Sequence, residues 1–134
     1  MGLMSRSKGK VGERELAGLI RDLTGWDAQR RVRQHDGDSD LVGIPGWSVE
    51  VKRHAAAPRA EIARWWAQTV SQATHGLPVL FYRPNRADWR AVWPVAVLLG
   101  IQSADMWVGV DWTCETSLAA WAAVAREINL KAIA

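Results

Sequence analysis

Residues 37–53, GDSDLVGIPGWSVEVKR, set three acids, Asp38, Asp40 and Glu50, close in sequence to two cations, Lys52 and Arg53. Side chains alternate along a strand, so Glu50 and Lys52 share one face of SVEVK, while Val49 and Val51 take the other. Pro45-Gly46 is a turn signal, and SDLVG and SVEVK read as the two strands of a hairpin around it. Centred on Pro45, that hairpin puts Asp40 directly across from Glu50 and buries Leu41 with Val49 and Val51. A tight two-residue turn would send Asp40 to the other face. The shared apolar face predicts the first register, with a three-residue loop or a bulge. Two carboxylates about 4 Å apart repel by roughly 4 kcal/mol at an effective dielectric near 20. A neighbouring lysine, a proton or a bound cation must offset that. Mg²⁺, with Mn²⁺ as substitute, suits carboxylate and backbone-carbonyl oxygens such as that of Val51. Lys52 would then steady charge developing on a phosphate under attack. A plain cross-strand salt bridge on an exposed hairpin would use the same residues.

Other elements must bring these groups together. VGERELAGLIRDLTG predicts a helix with Leu16, Leu19, Ile20 and Leu23 as its apolar stripe and Gly25 at its end. Glu13, three residues before Leu16 and seven before Ile20, extends that stripe and points toward whatever it packs on. Glu15 lies off the line and reads as a first-turn acid favoured by the helix dipole. Residues 1–10 read as a basic flexible tail, and WDAQRRVRQ (26–34) as a strand. APRAEIARWWAQTVSQATHG predicts a second helix with Ile62, Trp66, Thr69, Val70 and Ala73 on one face. Glu61, Trp65, Gln68 and Gln72 line another. LPVLFYR and DWRAVWPV predict strands around PNRA, AVLLGIQ a short helix and MWVGVDW a strand. TSLAAWAAVAREINL predicts a final helix capped by Thr116 or Ser117. The order αβββαββ, then (α)βα, gives a single α/β domain with a mixed central sheet flanked by helices.

At 134 residues, 49% hydrophobic and 23% charged, the chain has ordinary globular composition. One cysteine, Cys114, excludes an internal disulfide or a multi-cysteine zinc site. No signal peptide is recognisable at the start. The longest apolar run, residues 91–101, is too short to span a bilayer. A cytoplasmic location in a prokaryotic or phage-infected cell is the expectation. Net charge is +3, but residues 1–35 hold eight Lys/Arg against four Asp/Glu, which favours a polyanionic partner. Nine tryptophans in 134 residues is a high number. Most read as core or contact residues, and Trp65 is the candidate for stacking on a base.

Taken together, KGKVGERELAGLI, SDLVG and VEVK resemble the PD-(D/E)XK nuclease superfamily, and within it the archaeal-type Holliday-junction resolvases and their phage relatives. The resemblance covers residues 8–53. It implies a restriction-endonuclease-like fold, with Asp40 and Glu50 as metal ligands, Lys52 as the catalytic lysine and Glu13 as the helix-borne acid. Arg14 and Arg33 match phosphate-contacting positions, and Gln68 is the candidate for a helix glutamine near the site. Ser39 stands where such enzymes often have proline, and the Asp40–Glu50 interval is short. The implied activity is Mg²⁺-dependent cleavage of branched DNA by a homodimer. Arg6, Lys8, Lys10, Arg14, Arg30, Arg31, Arg33 and Arg53 would grip the backbone. The alternatives are a restriction- or repair-type nuclease on duplex or flap DNA, or a nuclease-fold protein that binds DNA without cutting. A small-molecule α/β enzyme would need a glycine-rich phosphate loop or a nucleophile–base pair, and neither is present.

Overall fold

The computed structural model describes residues 2–32, 39–74, 76–101 and 104–133. The first helix, α1, runs Gly2–Thr24. It therefore takes in nearly all of the stretch expected to be a tail, because the residues before Val11 are mostly compatible with helix and a single Gly9 does not stop it. Its buried face is Gly12, Leu16, Ala17 and Ile20. Leu19 and Leu23, expected in the stripe, are more than a third exposed, so the apolar face is rotated from the predicted line. Glu13 still sits one turn below Ala17 and belongs to the inward side. The helix ends where Gly25 turns to φ +78 and its N–H bonds Arg21 O at 2.8 Å.

Two short strands follow, β1 (Gln29–Arg30) and β2 (Leu41–Val42), paired antiparallel with Arg30 opposite Leu41. The strand expected over 26–34 thus shrinks to two residues, and its far end lies outside the described residues. Next come β3 (Trp47–Arg53), helix α2 (Arg59–Gln72), β4 (Leu77–Arg83) and β5 (Arg90–Pro94). After 3-10 turns at 95–99, 104–107 and 110–112 come β6 (Thr113–Ser117) and helix α3 (Leu118–Ile133). The strand expected at 106–112 is 3-10 turn, and the strand lies just beyond it. Ser117 Oγ accepts the Ala120 N–H at 3.1 Å, capping α3 as expected.

The main sheet is ordered β3-β4-β5-β6, parallel between β3 and β4 and antiparallel elsewhere. Alternation along β4 divides the core. Val79 and Phe81 pack with Leu16, Ile20, Val49, Val51 and Trp121 on the α1/α3 side. Leu80 and Tyr82 pack with Trp65 and Trp66 on the α2 side. Six of the nine tryptophans are buried, which makes the core their main use. Cross-strand partners share a face, and Glu50 and Lys52 pair with Leu80 and Tyr82. They therefore stand on the α2 side of β3, the terminal strand.

The predicted hairpin is not a regular ladder. Trp47 N–H bonds Ile44 O at 3.3 Å, so Pro45-Gly46 is a tight two-residue turn, with Gly46 at φ +83. Of the two expected forms, a three-residue loop or a bulge, this excludes the three-residue loop. Gly43, at φ +82, kinks the chain just after β2 and lets Asp40 return to β3. A Cβ there would fall 2.1 Å from Asp27 O, so only glycine fits. Gly43→Ala should cost about 3 kcal/mol or more, combining backbone strain with a main-chain collision. Gly25→Ala, at a similar φ with open space around it, should cost about 1 kcal/mol. Urea unfolding of the two variants checks the contrast; equal losses would mean that the close approach to Asp27 is unimportant.

Candidate active site

Residue 40 is drawn to β3 by hydrogen bonds that a ladder would otherwise make. Asp40 N–H bonds Val49 O at 2.8 Å, and Asp40 Oδ2 accepts the Val51 N–H at 2.7 Å. Ser39 Oγ accepts the Val49 N–H at 2.9 Å. Two side chains thus stand in for a partner strand, which is why the regular pairing fails while the acids still meet. The N–H and C=O of one residue point to the same side of a strand. The Val51 carbonyl therefore faces the edge that Asp40 occupies, as a backbone ligand would require.

Glu50 is 6% exposed, and Lys52 Nζ lies 3.2 Å from its Oε1. Glu13 Oε2 accepts the Arg30 Nε–H at 2.7 Å, with both side chains largely buried. Burial pushes the Asp40 carboxyl up to about 7; the charges of Glu50 and Glu13 add to that, while the Val51 N–H and Lys52 oppose it. Glu50 is raised as well, first by burial and further by Glu13, against the pull of Lys52. Glu13, Asp40, Glu50 and Lys52 therefore feel one another, and the expected convergence is present in the fold. Both shifts arise first from burial, which the Val51 N–H and Lys52 offset only in part.

A divalent cation beside the two carboxylates would favour their charged forms. Among the described residues, no three His, Cys, Asp or Glu side chains are arranged to cage a metal alone. A fitting ion is therefore one content with two carboxylates, a carbonyl and water. Hard ions such as Mg²⁺ meet that description, whereas thiolate- or histidine-seeking ions do not.

The basic residues divide. Lys10 and Arg14 are one turn apart on α1 and exposed. Arg6 and Lys8 lie on the same helix, with side chains outside those described. Arg33, Asp38, His35 and His75 lie outside the described residues. Arg31 is half-buried, its Nε–H donating to Ser39 O at 2.8 Å. Arg30, expected on a DNA-facing surface, is drawn inward by Glu13. Arg53, expected to grip DNA, is a brace: its Nη1 donates to His54 O, Arg83 O and Asn85 Oδ1. Gln68 is exposed on α2. Trp65 is 7% exposed, covered by His54 at 4.8 Å and lying near Tyr82 at 6.1 Å, which corrects its reading as an open stacking surface. Its helix is covered on two sides, by the sheet and by the 104–112 segment, where Trp107 O accepts the Trp66 Nε1–H. A cavity of about 480 Å³ between α2 and β5–β6 contains none of the four site residues.

Glu15 is what sequence reasoning missed. Its Oε1 accepts from both Arg83 Nη1 and Trp89 Nε1 at 2.7 Å, tying α1 to the β4–β5 connection. Its partners lie 68 and 74 residues away, so no local pattern could have signalled them.

A mixed sheet with α1 and α3 on one side and α2 on the other, with Glu50 and Lys52 on its terminal strand and Asp40 beside them, defines a restriction-endonuclease-like fold. The chain belongs to the family described as "Phage putative PDDEXK endonuclease", whose model matches residues 4–113. Nucleases of this class are generally metal-dependent. Among solved structures it is similar to Archaeoglobus fulgidus Hjc, a Holliday junction resolvase from an archaeal hyperthermophile. The two are 18% identical, with 87% of this chain and 96% of that one covered and a TM-score of 0.53, a likeness of fold. No curated protein matches the chain. No helix among the described residues is long and apolar enough to cross a membrane.

The raised Asp40 carboxyl makes a prediction about stability in chelator. A carboxyl that holds its proton more tightly when folded stabilises the fold below its unfolded pKa, near 4, and loses that contribution as pH rises through about 7. Asp40→Asn keeps an acceptor for the Val51 N–H without the charge. It should therefore be more stable than wild type at pH 8, by up to about 4 kcal/mol, and no more stable at pH 4. Thermal melts at the two pH values measure this; the same difference at both would show that the charge at 40 is not what costs stability.

Proposed function

We propose that this protein is a divalent-metal-dependent DNA endonuclease that cuts branched DNA, four-way junctions above all. The observation that carries the reading is the convergence of Asp40 and Glu50 beside Lys52 on the terminal strand. A protein that only held DNA would gain nothing from desolvated negative charge at its contact surface. Membership of the endonuclease family supports cleavage, and the likeness to Hjc supports the choice of junction DNA.

Asp40, Glu50 and the Val51 carbonyl would hold the cation, Mg²⁺ or Mn²⁺, with Glu13 assisting. When bound, that ion lowers the pKa of water and offsets charge on the phosphate. Lys52, kept near Glu50 by their 3.2 Å contact, donates N–H bonds to the non-bridging oxygens as water attacks phosphorus in line and the opposite P–O bond breaks. The Glu13–Arg30 pair limits the freedom of the helix-borne acid, so its carboxylate enters the site oriented. Lys10 and Arg14, exposed on α1, would be offered to the backbone of the substrate. Two symmetric nicks need two sites, so the junction reading carries a second copy of the chain with it.

The test uses four-way, flap and linear DNA of one sequence, cut by the full chain in Mg²⁺. Paired symmetric nicks in the four-way substrate, with slower cutting of the others, are expected. Asp40→Asn, Glu50→Gln and Lys52→Ala should each reduce cleavage by about a hundredfold or more. Cutting of all three substrates at one rate would leave a nuclease without junction selectivity. Wild-type rates in the Asp40 and Glu50 variants would remove the proposed site.

A further inference from the structure

Three contacts hold α1 around Glu13. On the site side, Glu13 meets Arg30. Gly12 lies so close to β3 that a Cβ would be 2.9 Å from Arg53 Cβ and 3.2 Å from its Cγ. On the far side, Glu15 Oε1 receives hydrogen bonds from Arg83 and Trp89. Helical residues turn by about 100° each, so positions 13 and 15 leave the helix on nearly opposite sides.

The groups that receive Glu15 are themselves fixed. Arg83 Nε donates to Ala87 O at 2.7 Å, and Arg53 Nη1 reaches Arg83 O and Asn85 Oδ1. The connection between β4 and β5 is thereby joined both to α1 and to the residue after Lys52. Rolling α1 enough to carry Glu13 away from Arg30 would have to break both Glu15 bonds. Sliding it would drive the neighbours of Gly12 into Arg53.

We propose that Glu15 is a positioning residue for Glu13, fixing the rotation of α1 through Arg83 and Trp89 so that the Glu13 carboxylate enters the site. This rests on the endonuclease reading, because the role of Glu13 is read in cleavage. Glu15 touches neither substrate nor ion; it acts only through the helix it holds. The pattern expected is that of a supporting contact, whose removal typically costs ten- to a hundredfold in activity, by roughly the measure seen for outer-shell partners.

The experiment is a double-mutant cycle on junction cleavage with kcat and KM separated, using Glu13→Gln, Glu15→Ala and the double variant. Glu15→Ala should lower kcat about tenfold with KM unchanged. Glu15→Gln, which keeps an acceptor oxygen for Trp89 and Arg83, should recover most of that loss. In the Glu13→Gln background, Glu15→Ala should cost nothing further. Thermal melts confirm that each variant is folded, and Trp89→Phe, which removes one donor and keeps an aromatic ring, serves if Glu15→Ala is not. The proposal is overturned if Glu15→Ala slows the Glu13→Gln protein as much as it slows wild type. It is also overturned if Glu15→Ala lowers the melting temperature but leaves kcat untouched. Full-rate cleavage by Glu13→Gln would instead remove Glu13 from the site reading, and this inference with it.

Discussion

Two carboxylates that repel each other, taken largely out of water at the edge of one strand, are the constraint around which this fold is arranged. Burial alone disfavours the charged form of each, and their proximity adds to it. A chain gains no stability from such a pair. The neighbouring groups read as partial compensation: Lys52 against Glu50, the Val51 N–H against Asp40, and Arg30 against Glu13. That compensation is partial, since both carboxyls still stand above their ordinary range. A terminal strand allows this arrangement, because its outer backbone groups have no strand neighbour and bond Ser39 and Asp40 instead.

The parts legible in the sequence were those set by local periodicity. Alternation over SVEVK put Glu50 with Lys52 and Val51 with the core, and the structure keeps both assignments. The order of helices and strands was also readable, as was the cap at Ser117. Long-range geometry was not. A sequence cannot show that Asp40 would replace a strand by accepting the Val51 N–H, or that Gly43 would pass within contact of Asp27. The role of Glu15 depends on Arg83 and Trp89, and that of Arg53 on Asn85. In each case the deciding partner is remote, and the residue's own neighbours point to a different use.

Charge raised a similar difficulty. Counting cations in the first 35 residues treats them alike, although Arg30 and Arg31 are engaged by Glu13 and Ser39 O while Lys10 and Arg14 remain exposed. A basic half is thus a mixture of structural and available charge, and only burial separates them. Tryptophan behaves in the same way: Trp65, on a polar-looking helix stripe, is covered because α2 is packed on two sides. Fold and family together define the chemistry of the site more closely than they define the DNA that enters it, since one scaffold can serve several substrates by varying what surrounds its edge.

Diffraction from crystals soaked in Mn²⁺, recorded for the anomalous signal of the ion, would show whether Asp40 and Glu50 hold a cation between them. One peak is expected at the outer edge of β3, within coordination distance of oxygens of Asp40, Glu50 and the Val51 carbonyl. A peak bound elsewhere on the chain, or the Asp40 and Glu50 carboxylates found turned from each other with no ion between them, would contradict it.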